Sequence, residues 1–125
     1  MEDNTSRLSI QIDLAKSRIR IHKVTLAALG GPEYILLLVN PEEKTLGILV
    51  GNMNMPGVHR MRTTKGGHCY ELYSTSLARQ LRKVMPEWIN GGKYLLNGEL
   101  LPNGTVLFPM SDAVHTATST PKYHD

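Results

Sequence analysis

Cysteine is nearly absent from this chain. The single thiol, Cys69, among 125 residues excludes an intramolecular disulfide framework and fits a reducing compartment. Long apolar runs are missing as well: the longest, such as Tyr34 to Val39, are far too short to cross a bilayer. No secretory leader is expected, because MEDNTSRLSI is acidic and polar where a leader would be basic and then apolar. The chain also lacks Cys-x-x-Cys and His-x-x-x-His spacings, a P-loop, a dinucleotide fingerprint and a Gly-x-Ser-x-Gly elbow. His68 and Cys69 are adjacent, so on a strand they point to opposite faces and cannot easily share a metal ion. A Cys69 nucleophile would need a base on its own face, and none is nominated. The expectation is a cytoplasmic, non-membrane protein of one domain, without enzymatic activity, metal or cofactor.

Charge is present but unevenly spread. The net charge of +3 conceals a balanced first part, in which six basic and six acidic side chains occupy residues 1–57. Residues 58–93 hold seven cations (Arg60, Arg62, Lys65, Arg79, Arg82, Lys83 and Lys93) against Glu71 and Glu87. An anionic partner would therefore meet the middle of the chain first; a solvated face is the competing reading.

Sliding the chain by 51 residues lays Ile19, Ile21 and Leu26 over Tyr70, Leu72 and Leu77. Such self-similarity implies one supersecondary unit used twice, each half covering the apolar face of the other. Leu8 to Asp13 and Ser17 to His22 alternate with period two and read as a β-hairpin whose inner face is Ile10, Ile12, Ile19 and Ile21. Lys23 to Leu29 reads as a short helix stopped by Gly30-Gly31-Pro32. Glu33 to Asn40, a buried-looking strand, and Thr45 to Val50 then pair across a polar turn.

The second unit repeats the order. Val58 to Arg62 is a weak strand, Thr64 to Gly67 a turn and Cys69 to Tyr73 a strand. A helix capped by Ser74 or Ser76 follows, with the stripe Leu77, Leu81 and Val84, and ends at Pro86. Trp88 is expected to fold back onto the core, and Tyr34 and Tyr94 to pack at the barrel rim. Lys93 to Leu101 and Thr105 to Met110 form a last hairpin through Pro102-Asn103-Gly104. The fold class expected is mainly β (α+β by content), a small barrel or pseudo-dimer of two β-β-α-β-β repeats with two short helices. Residues 8–115 form the domain, with repeats at 8–50 and 58–110 and a connector at 51–57. Residues 1–7 and the polar tail 116–125 are expected to be flexible.

The run from Asp13 to Gly30 has an acidic residue, a turn, a basic-apolar alternating strand and a short helix closed by Leu29 and Gly30. It resembles the opening of an AbrB/MraZ-type swapped-hairpin module. The resemblance continues through the Glu33 to Val50 hairpin, and the MraZ branch likewise carries two modules in one chain. It implies a DNA-binding transcriptional regulator that docks basic hairpins on double-stranded DNA, with a homo-oligomer as a further expected association.

The residues themselves are compatible with that. Arg18, Arg20 and His22 alternate with Ile19 and Ile21, so one strand carries a cationic face and an apolar one, as a β-ribbon on phosphates requires. In the second unit the cations fall on the preceding strand and turn, at His59, Arg60, Arg62 and Lys65. The candidate nucleic-acid contacts are Lys16, Arg18, Arg20, His22, His59, Arg60, Arg62 and Lys65. Arg79, Arg82 and Lys83, opposite the stripe of the second helix, either solvate it or widen the same patch. The alternative function is a non-enzymatic protein-interaction or assembly module on the same fold.

Overall fold

The alternating isoleucines of the first hairpin begin the core. In the computed structural model, which describes residues 7–63, 67 and 69–118 (Arg62 and Thr63 by their backbone), β1 (Leu8–Asp13) pairs antiparallel with β2 (Arg18–His22). Ile10 lies opposite Ile21 and Ile12 opposite Ile19, and all four are buried. At roughly 1.5–3 kcal/mol for each buried branched side chain, this register is strongly preferred over a one-residue slip, which would turn all four outward.

His22 ends the strand and caps α1 (Lys23–Ala28), its Nδ1 accepting the Val24 N–H at 3.1 Å. The helix stops at Gly30, whose φ of +89° is costly for any residue with a Cβ. There the Gly31 N–H donates to Leu26 O and the Gly30 N–H to Ala27 O, a Schellman closure. Thr25 is fully buried, and its Oγ1 both accepts from the Ser9 N–H (2.9 Å) and donates to Ser9 O (3.0 Å), pinning α1 to β1.

β3 (Tyr34–Asn40) and β4 (Thr45–Val50) form the next hairpin. The expectation of a buried β3 needs correction: Ile35 alone is fully buried, Leu36 and Leu37 are partly covered, and Leu38 is exposed. The run is apolar on both faces, but only one face meets the barrel interior.

The weak strand of the second unit is broken at Met61 into β5 (His59–Arg60) and β6 (Arg62–Thr63). The buried Met61 donates its N–H to Glu33 O at this break. β7 (Cys69–Tyr73) leads to α2 (Thr75–Val84), capped by Ser74 Oγ accepting the Leu77 N–H. β8 (Gly92–Leu100) and β9 (Val106–Pro109) complete the repeat, and a 3₁₀ turn at Met110–Asp112 leads to β10 (Val114–Thr118). This strand lies where a flexible tail was expected from Thr116. All five of its residues are exposed; it is held by backbone pairing to β8 together with His115 stacked on Tyr94 and Thr116 Oγ1 donating to Lys93 O, without the apolar alternation that marks a strand in a sequence.

The sheet is antiparallel with the order β5-β3-β4-β9-β8-β1-β2-β7-β6, and β10 pairs with β8. The two ends of this path, β5 and β6, are consecutive in the chain, so the sheet nearly closes into a barrel. Its interior holds the two hairpin layers together with Leu46, Ile48, Leu96, Val106, Phe108 and Met110. The units interlock: β1 pairs with β8 of the second unit, and β5 pairs with β3 of the first. β2 and β7, equivalent strands of the repeat, pair with each other across a pseudo-two-fold axis.

Candidate nucleic-acid interface

That axis governs the charges. Two-fold pairing of equivalent strands places equivalent residues face to face, and Arg20 lies directly opposite Glu71, 51 residues away. The Arg20 Nε donates to Glu71 Oε2 at 2.6 Å. Had both units kept arginine here, two guanidinium groups would oppose one another, which destabilises a cross-strand pair.

Arg18, opposite Tyr73 on one side and Asp13 on the other, is drawn inward. Its Nη2 donates to Asp13 Oδ2 at 3.2 Å, and its Nη1 is 3.9 Å from Glu71 Oε2. With only 12% of its side chain exposed, Arg18 is chiefly an internal ion-pair partner rather than a free phosphate contact. The other Asp13 oxygen, Oδ1, accepts the Lys16 N–H and closes the β1–β2 turn, leaving the Lys16 side chain exposed.

His22 is committed at Nδ1 to the cap of α1, which leaves Nε2 as its one ring nitrogen for another partner. It stands opposite Cys69, beside a shallow cleft of about 170 Å³ that also includes Ser9, Gln11, Arg20 and Leu95. His59 is half-buried, and desolvation lowers its pKa from 6.5, which disfavours the cationic form a phosphate would need. Arg60 is well exposed and meets Glu33 at 3.1 Å. Arg62 stands opposite Glu71 in the register. Lys65 and the 64–66 part of the expected turn lie outside the described residues, as does His68.

Strands β2, β7 and β6 pair in succession, and β5 adjoins β6 through Met61 at the unpaired seam of the barrel, so the four make up one wall. On it, Arg20 and Arg62 occupy register positions on either side of Glu71, and Arg60 follows on the next strand. The tertiary structure thus gathers the candidate arginines but also brings carboxylates to Arg18, Arg20 and Arg60. Asp13 and Glu71 are the ion-pair partners that strand-by-strand reading misses. The one sequence signal for Glu71 is its alignment with Arg20 in the repeat.

Among the described residues no helix is long and apolar enough to cross a membrane. No family model, curated protein or solved structure matches this chain.

Proposed function

We propose that the protein is a DNA-binding regulator, without catalytic activity, that lays the β2–β7–β6–β5 wall on the phosphate backbone of double-stranded DNA. The observation that carries this reading is the succession of Arg20, Arg62 and Arg60 on neighbouring strands of a single wall. The resemblance of the Asp13 to Gly30 run to AbrB/MraZ-type modules supports it. Glu71 then tunes the wall: it holds Arg20 in place and limits how strongly DNA is attracted. Such a regulator works in the cytoplasm with Cys69 reduced.

The test is fluorescence anisotropy of a labelled random duplex titrated with protein over a series of salt concentrations. Affinity should fall linearly with salt on logarithmic axes as counterions are released. Glu71→Gln should tighten binding and steepen the salt dependence, because Arg20 is freed for phosphate. Undetectable binding of the wild type at low salt sinks the proposal.

A second reading, a protein-interaction module, is favoured by a separate feature. A groove of about 490 Å³ beyond the end of α1 is lined by Ala28, Leu29, Val50, Leu100, Leu101, Pro102 and Gly104, with no charged side chain. Val50 and Leu100 are each about half exposed there. Loss of duplex binding with an intact fold would leave this reading in place.

A further inference from the structure

Among the described residues, several cations without an ion pair lie on and around α2. α2 turns Leu77, Ala78 and Leu81 into the barrel, so Arg79 and Lys83 point outward on the opposite side, spaced about 6 Å apart along the helix axis. Arg82 lies on the flank of the helix, where its Nη2 donates to Leu14 O at 2.7 Å. That bond draws the β1–β2 turn, with exposed Lys16, against α2; Ser74 N–H to Ser17 O (2.9 Å) reinforces it. Leu14 in turn donates its N–H to Gly92 O, which brings the start of β8 and Lys93 to the same end of the barrel.

Five cations, from three elements distant in sequence, are therefore carried at one end of the barrel. Among the described residues none of Lys16, Arg79, Arg82, Lys83 and Lys93 forms an ion pair. Asp13, at the base of the β1–β2 turn, is buried and already engaged by Arg18 and the Lys16 N–H, and Glu87, exposed just beyond α2, forms no ion pair among the described residues. The Nε groups of Arg18 and Arg82 are shielded from water and have no acceptor, so this corner holds more donors than acceptors. Arg82 and Lys83, in the last turn of α2, also offset the helix dipole. That role requires nothing from Arg79, Lys16 or Lys93.

We infer that this end of the barrel, with the outer face of α2 at its centre, is a second contact with the phosphate backbone of duplex DNA, beside the wall. The inference rests on the DNA-binding reading and adds to the strands a contact on the helix. The apolar stripe of α2 is committed to the barrel, so the surface offers charge without an insertable apolar face. That suits a phosphate backbone rather than a bilayer.

The experiment compares wild type, Arg79→Gln/Lys83→Gln and Arg60→Gln in duplex binding against salt, with melting temperatures confirming that each variant folds. The helix double variant should lose about tenfold in affinity at low salt, and its salt slope should become shallower by about two, because each lost phosphate contact removes about 0.9. Arg60→Gln, already paired with Glu33, should change less. Unchanged affinity and slope in the double variant overturn the helix inference, and if Arg60→Gln then weakens binding the wall reading survives alone. Failure of wild type to bind at low salt removes both. Tighter binding to single-stranded DNA of equal length, or to phosphatidylserine vesicles, also overturns the inference.

Discussion

Replacing Asp13 with alanine should test how the cationic hairpin is built. Asp13 and Arg18 are 3% and 12% exposed at their side chains and meet at 3.2 Å. Removing one partner of a buried pair costs about 3–5 kcal/mol, because the other charge stays behind without compensation. Here Arg18 retains Glu71 at 3.9 Å and is partly reached by water, which lowers that share to about 2–3 kcal/mol. Loss of the Asp13 bond to the Lys16 N–H adds at most about 1 kcal/mol, since water can replace it at an exposed turn. The sum, about 3 kcal/mol, is a large part of the 5–15 kcal/mol that holds a typical domain folded. It corresponds to a fall in Tm of about 10–15 °C for a chain of this size.

Urea denaturation followed by the fluorescence of Trp88, the lone tryptophan, stacked on Tyr94 at 4.4 Å, measures this directly. Arg18→Ala and the double variant complete a cycle in which the double should cost clearly less than the two singles together. A loss under about 1 kcal/mol for Asp13→Ala, or strict additivity, would refute the pairing argument.

Two further outcomes follow from the same geometry. Thr25→Val keeps shape but strips the hydroxyl from both backbone groups of Ser9; chemical denaturation should show a loss of about 2 kcal/mol, with Thr25→Ser close to wild type. A cost under about 0.5 kcal/mol would mean that water satisfies Ser9 instead. Burial lowers the pKa of His59 below 6.5 in the folded state, so below pH 6.5 the unfolded chain takes up a proton that the folded chain resists. The stability contribution of the neutral ring is therefore present above that pH, declines as pH falls toward the lowered value, and levels off beneath it. Melting temperature against pH should show this component in wild type and lose it in His59→Gln; identical profiles would contradict it.

Legibility of the fold follows from how local each determinant is. Ile10, Ile12, Ile19 and Ile21 announce their hairpin because alternation is read within a few residues. Ser74 and Gly30 mark helix ends through bonds to neighbours three to five positions away. β10 carries no such signal, as its residues are all exposed and its contacts are backbone pairing and a His115 ring laid on Tyr94 of a distant strand. The leucines of β3 mislead in the opposite direction, because an apolar run shows affinity for a core without showing which face will meet one. Arg18 and Arg20 likewise read as a free cationic face, since only the strands alongside them can show otherwise.

What the sequence alone determined is the scaffold: a duplicated β-β-α-β-β unit, its inner apolar skeleton and the ends of its helices. Burial of apolar side chains acts through patterns that each segment carries within itself. What only the tertiary structure decided is the electrostatics. The pseudo-two-fold pairing sets Glu71 against Arg20, Asp13 turns Arg18 inward, and Leu14 O accepts from Arg82 and ties the β1–β2 turn to α2. Charges act through space, and the distances that matter here join residues five, 51 and 68 positions apart.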